Sequence, residues 1–142
     1  MSIQEIQNEI IDEFQILGDD RESTIFYIME LGGKLPEMPE EDKSEENIIK
    51  GCQSKVWLTA SESNNKINYL ADSNTDITKG LISLLIRVLS GRSPEEIIKA
   101  ELDFIEKIGM GNIIGSQRSN GLAAMIKQMK LYAIAYQAKL NA

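Results

Sequence analysis

From Ile77 to Leu89 the chain is apolar nearly all the way round, with Ile77, Leu81, Ile82, Leu84, Leu85, Ile86, Val88 and Leu89 in thirteen positions. A helix that is hydrophobic on every side belongs at the buried centre of a domain, with other elements packed around it. Gly91 stops it, and Asp72 through Asp76 offers turn and N-cap residues before it, Asp72 among them as a candidate cap. The hydrophobic share of 42% in 142 residues is enough to surround such a helix, and the length suits one domain spanning residues 1–142.

The stretch before that helix alternates. Val56, Leu58 and Ala60 fall on one face and Trp57, Thr59 and Ser61 on the other; Asn64-Asn65 marks a turn; Ile67, Tyr69 and Ala71 then alternate with Asn68, Leu70 and Asp72. Period two on both sides of a turn predicts an antiparallel hairpin with a moderately polar outer face. Trp57 and Tyr69 lie on neighbouring strands and read as sheet packing. Asn47 to Lys50 is a candidate short strand ahead of the hairpin. Gly80 is expected to let the apolar helix lie close to the sheet.

Helical spacing marks both ends of the chain. Ser2 with Glu5 forms a capping box for a first helix, whose stripe is Ile3, Ile6, Ile10, Phe14 and Leu17, ended by Gly18. Asp19 and Glu22 repeat the capping logic for a helix over about 20–31, terminated by left-handed glycine at Gly32-Gly33. Ser93-Pro94-Glu95-Glu96 opens a short helix to about Ala100. Leu102 to Met110 reads as a brief helical turn or loop, and Gly109, Gly111 and Gly115 predict a loop after it. Leu122, Met125, Ile126, Met129, Ala133, Tyr136 and Leu140 give the stripe of a last helix. The fold class is α+β: a small antiparallel sheet covered on one face by helices.

Charge excludes several functions. The net charge is −7 and the pI about 4.7, which disfavours a nucleic-acid backbone or an anionic membrane as partner. Residues 37–46 are locally acidic, with Glu37, Glu40, Glu41, Asp42, Glu45 and Glu46 against Lys43. They read as a solvated loop, or more sharply as a docking strip for a basic partner. Met1-Ser2-Ile3-Gln4-Glu5 shows no signal-peptide pattern, and no apolar run approaches the roughly 20 residues of a membrane span. With one cysteine there is no internal disulfide, and a reducing, cytoplasmic setting is expected.

That cysteine, Cys52, is the chemical focus. It follows Gly51 and precedes Gln53, Ser54 and Lys55, at the lip of the hairpin. Free cysteines are commonly packing residues, but these polar, turn-like neighbours point to a loop. Hydrolytic nucleophiles need a base, usually histidine, and the chain has none. A thiol that exchanges sulfur with another protein's persulfide needs only one accessible cysteine with some thiolate character. One thiol is too few for a structural zinc or iron–sulfur site, so no metal or cofactor is expected. Gln53 and Ser54 are expected to shape the loop through hydrogen bonds to backbone.

Several segments together carry a family resemblance. They are Tyr27–Gly32 with Leu35-Pro36, Ile49–Trp57 with its Gly-Cys-Gln-Ser-x-Val-Trp run, Asp72-Ser73, Lys79–Ile82, and Arg118–Leu122. In these the chain resembles the SufE family of sulfur acceptors, over nearly its whole length. The resemblance implies a fold like that of SufE and of IscU-type cluster scaffolds. It implies that Cys52 accepts sulfur from a persulfide on a pyridoxal-phosphate-dependent, SufS/CsdA-like cysteine desulfurase. The sulfur would pass to a cluster-scaffold complex for iron–sulfur assembly. Arg118 matches the arginine of the family's Arg-Ser-x-Gly-Leu segment, which lies near the cysteine. Ser116-Gln117 departs from the proline and serine that relatives often carry there. A carrier and desulfurase activator is implied rather than a stand-alone enzyme. A guanidinium beside the thiol would raise its thiolate fraction, and Arg118 is the candidate; a cap or ion pair to a loop carboxylate is its other reading. The competing function is a thiol-independent module that regulates a desulfurase or another enzyme by docking through the acidic loop.

Overall fold

The computed structural model describes residues 1–142. In order, the elements are α1 (Ile3–Ile16), α2 (Arg21–Gly32), β1 (Val56–Ser63), β2 (Lys66–Ser73), α3 (Asp76–Leu89), α4 (Pro94–Lys99), α5 (Phe104–Ile108) and α6 (Met110–Leu140). Two short 3-10 turns, Glu40–Asp42 and Glu45–Asn47, interrupt the link from α2 to β1. The architecture is α+β, with α3 at its centre as its all-round apolarity requires. Leu81, Ile82, Leu84, Leu85, Val88 and Leu89 are all buried. Helix α2 packs along one side of α3, β2 along another, and α1 and α6 also touch it.

The hairpin pairs Val56 with Ser73 through Ser63 with Lys66, and Asn64 and Asn65 both take positive φ in the two-residue turn. Val56, Leu58, Ile67, Tyr69 and Ala71 point into the core. Helix α6 runs beside the pair. Tyr69 donates its hydroxyl to the Met129 carbonyl at 2.6 Å, and Tyr136 donates to the Ala60 carbonyl at 3.0 Å. The second bond satisfies an edge carbonyl of β1, and the first ties the hairpin to the backbone of α6. The stretch before the hairpin contributes no strand. Ile48 makes one antiparallel bridge to Trp57, and the Ile49 N–H donates to the Val56 carbonyl at 2.8 Å.

Four local expectations are corrected by packing. Asp20, not Asp19, caps α2, accepting from the Glu22 N–H and the Ser23 hydroxyl. Gly32 and Gly33 stay right-handed, with Gly33 at φ −65°. Gly32 is needed for a close approach: a Cβ there would lie 2.6 Å from the Gly80 nitrogen. Gly80 faces α2 rather than the sheet, and a Cβ on it would overlap the Ile28 carbonyl. The 109–115 stretch is a loop only at its end glycines, with Gly109 left-handed (φ 77°) between α5 and α6. Met110 and Ile114, four residues apart, are both buried and hold one helical run, which breaks at Gly115 (φ 84°, ψ 171°) before α6 resumes. Arg21 Nε donates to the Ile113 carbonyl beside that break.

Candidate functional site

The loop Lys50–Ser54 is fixed at both stems. Upstream, Ile49 is buried and bonded to Val56; downstream, the Lys55 N–H donates to Asn74 Oδ1 at 3.0 Å and the Ser73 hydroxyl donates to the Lys55 carbonyl at 2.8 Å. Gly51 turns the chain at φ 99°, a left-handed value that glycine reaches without strain, and a Cβ there would also press the Ala124 Cβ at 3.2 Å. Cys52 follows, half-buried. Its thiol donates to the Gly121 carbonyl on α6, with Sγ at 3.5 Å. A Cβ at Gly121 would lie 3.4 Å from Sγ, at contact distance, so the thiol sits directly against the helix at this glycine. Two residues on, Ser54 Oγ accepts from Thr75 Oγ1 at 2.9 Å and Thr78 Oγ1 at 3.3 Å. Ser54 therefore shapes the loop through side chains at the start of α3, not through the backbone bonds expected of it.

Cys52 opens on a cavity of about 390 Å³ between the loop, the start of α3 and the kinked part of α6. Leu81, Ile114 and Met125 form its apolar wall; Gln53, Ser54, Thr78, Ser116, Gln117 and Arg118 supply polar lining. The break at Gly115 swings Ser116 to Arg118 onto the same space as the thiol. Arg118 is exposed and takes part in none of the eight ion pairs of the chain, so the ion pair to a loop carboxylate does not form.

Burial pushes the Cys52 thiol above its ordinary range. Sequence reasoning looked to Arg118 for a thiolate-raising guanidinium. The structure brings Arg118 to the same cavity as the thiol. At rest the sulfur is half-buried, and that burial favours its protonated form. Lys50 and Lys55, the flanking cations, are exposed.

Asp72 does not cap α3. Its carboxylate lies between Lys43 at 2.9 Å and Lys79 at 3.4 Å. Burial pushes the Asp72 carboxyl up, but Lys43, the Ser73 N–H and Lys79 together hold it below the usual range. The pair with Lys43 ties the acidic segment to the hairpin, while Glu37, Glu40, Glu41, Glu45 and Glu46 stay exposed. No three His, Cys, Asp or Glu side chains are grouped to hold a metal ion, and no helix is long and apolar enough to cross a membrane.

Residues 8–133 match the family described as "SufE: Fe-S metabolism associated domain". The chain belongs to the SufE family. It is 38% identical over 128 residues to an uncharacterized SufE-like protein of Rhizobium meliloti (strain 1021), covering 87% of this chain and 91% of that one. It is 41% identical over 130 residues to one of Rhizobium etli, covering 87% and 86%. A third SufE-like relative, from Synechocystis, is 37% identical over 132 residues, covering 91% and 80%. The fold is shared with the solution structure of a hypothetical protein from Thermus thermophilus, at TM-score 0.76 and 19% identity, over 94% of this chain and 96% of that one. Membership of the SufE family associates the chain with Fe–S metabolism, and both Cys52 and Arg118 lie within the matched span.

The sequence reading missed the parts that Thr75, Thr78, Gly115 and Gly121 play in the site. Gly121 had a usable signal. A glycine inside an otherwise continuous helical stripe, with no turn to make, points to a close approach. Thr75 and Thr78 had none, because their partner Ser54 is more than twenty residues away in the chain.

Proposed function

We propose that this SufE-family chain is a sulfur-transfer accessory protein. Cys52 takes sulfur from a persulfide on a pyridoxal-phosphate-dependent cysteine desulfurase and passes it on for iron–sulfur cluster assembly, in a reducing, cytoplasmic setting. The observation that carries the reading is the placement of the only cysteine: at the apex of a loop fixed at both stems, beside a cavity large enough to shelter an added sulfur.

The chemistry needs no group this chain lacks. The Cys52 thiolate attacks the outer sulfur of the partner's persulfide, the partner's S–S bond breaks, and its cysteine leaves as thiolate. Cys52 then carries the persulfide, and the desulfurase, cleared of product, turns over again. Sheltered, Cys52 is a poor nucleophile, because burial opposes its ionisation. Once the loop swings out about Gly51, the thiol regains an ordinary pKa near about 8.5, a reactive thiolate fraction and access together. On return, Leu81, Ile114 and Met125 keep small reductants from the persulfide. Arg118, exposed and unpaired at the cavity mouth, is suited to meet the anionic sulfur outside its shelter.

The test is incubation with a cysteine desulfurase and cysteine, followed by mass spectrometry. The expected result is a gain of one sulfur atom confined to Cys52. Equal labelling of Cys52→Ser refutes the proposal. The exposed glutamates of residues 37–46 favour a second reading, stimulation by docking alone. That reading requires Cys52→Ser to stimulate the desulfurase as well as the parent does.

A further inference from the structure

Helix α3 begins without the side-chain cap its sequence offers. Thr75 occupies the N-cap position with extended backbone, yet its hydroxyl makes no bond to the first turn. Threonine at this position normally accepts from an N–H two or three residues on, a contact that stabilises most helices that have it. Here the hydroxyl donates across the chain to Ser54 Oγ at 2.9 Å. Thr78, one turn later and buried, aims its hydroxyl at the same oxygen from 3.3 Å. Two hydroxyls at one helix end thus converge on one residue of the cysteine loop, and the helix gives up its cap in the arrangement.

Besides its two stems, the loop is held to the body by this cluster and by the thiol's bond to the Gly121 carbonyl. The second tie is weak and conditional. S–H is a poor donor, and a thiolate has no proton to donate. The hydroxyl cluster does not change when the sulfur ionises. We propose that Thr75 and Thr78 are positioning residues, which act through Ser54 to keep the cysteine loop seated against α6 and so set how often Cys52 is exposed. The inference bears on the sulfur-acceptor reading and rests on it for its purpose. Its test reads only the resting thiol, so either can fail without the other.

The experiment is alkylation of the full chain by iodoacetamide, with mass spectrometry following modification of the single cysteine from about pH 6 to about pH 10, a range that brackets the ordinary thiol. The variants are Ser54→Ala, which removes both bonds, and Thr75→Val, an exposed position that loses no cap because none exists. Thr24→Val is the control. It deletes a buried hydroxyl that donates to the Asp20 carbonyl at 2.9 Å on α2, a different part of the fold. Loss of one neutral hydrogen bond favours opening by roughly fivefold, so Thr75→Val is expected to react about five times faster than the parent and Ser54→Ala faster still. The pH inflection of both is expected to fall toward about 8.5, the value of a solvated thiol, with little change in Tm. Thr24→Val is expected to lower Tm and leave the rate alone. Rates within about twofold of the parent for both loop variants overturn the proposal, as does an equal acceleration in Thr24→Val.

Discussion

The α2–α3 contact offers the sharpest test of how the site is supported. Replacing Gly80 with alanine adds one methyl group. On helix propensity alone this would stabilise α3 by about 1 kcal/mol. The structure reverses the sign. The new Cβ would overlap the Ile28 carbonyl oxygen and lie 2.6 Å from its carbonyl carbon and 2.7 Å from its Cγ2. Carbon atoms pack at about 3.5–4.0 Å, so the helices must part by about 1 Å, and two of the three obstacles are backbone that no rotamer change can move. Overpacking of this kind costs about 1–3 kcal/mol or more, and backbone obstacles place it at the upper end. After the propensity gain, a net loss of about 2 kcal/mol remains, against total stabilities of about 5–15 kcal/mol. Urea unfolding followed by circular dichroism and by Trp57 fluorescence reads this directly. Gly32→Ala meets Gly80 from the other helix, with its Cβ 2.6 Å from the Gly80 nitrogen. The double variant is expected to lose at least about 1 kcal/mol less than the sum of the singles, because the first methyl has already opened the gap. Gly111→Ala is the control: its Cβ finds only Ser119 Oγ at 3.8 Å, and it is expected to stabilise. A Gly80→Ala protein as stable as the parent refutes the reasoning. The result reaches the site as well, since Thr75 and Thr78 lie at the start of the helix that Gly80 anchors.

Other outcomes follow from the charges and the thiol. In the parent, Cys52 alkylation is expected to inflect above about 8.5, the value of a solvated thiol, and Arg118→Ala to leave the inflection in place, since burial raises it; an inflection below that value contradicts the sheltered thiol. The same raised value makes folding stability from this group fully present below about pH 8.5 and lost as pH rises through the folded value, visible as a falling urea midpoint that Cys52→Ser does not share. Arg87 holds the Glu13 carboxyl below its usual range, partly offset by burial and helped by the Tyr27 hydroxyl at 2.5 Å. That network contributes above about pH 4.5 and fades as pH falls through the lowered value, so Glu13→Gln should cost up to about 1 kcal/mol at neutral pH and nothing near about pH 3 in urea titrations. Asp72→Asn removes the anchor of Lys43, and limited trypsin digestion should then cut after Lys43 faster than in the parent; an unchanged rate counts against that tie.

Much of this molecule is local in origin and was legible without coordinates. The capping boxes at Ser2 and Ser93, the turn at Asn64-Asn65, the alternation of both strands and the central place of Ile77–Leu89 each depend on residues within a few positions of one another. The motif around Cys52 was likewise contiguous, and it led to the family that the match over residues 8–133 shows. What local pattern cannot carry is which distant surface a residue meets. Gly32 reads as a stop and Gly80 as a sheet contact until two helices cross at them. Glycine-rich 109–115 reads as loop until Met110 and Ile114 find the core. Asp72 reads as a cap for α3 until the fold sets its carboxylate between Lys43 and Lys79. Likewise the burial that pushes the Cys52 thiol up is a property of the assembled cavity, not of its neighbours along the chain. Periodicity and capping act through neighbours along the chain; close approach and desolvation exist only once segments far apart in sequence have packed together.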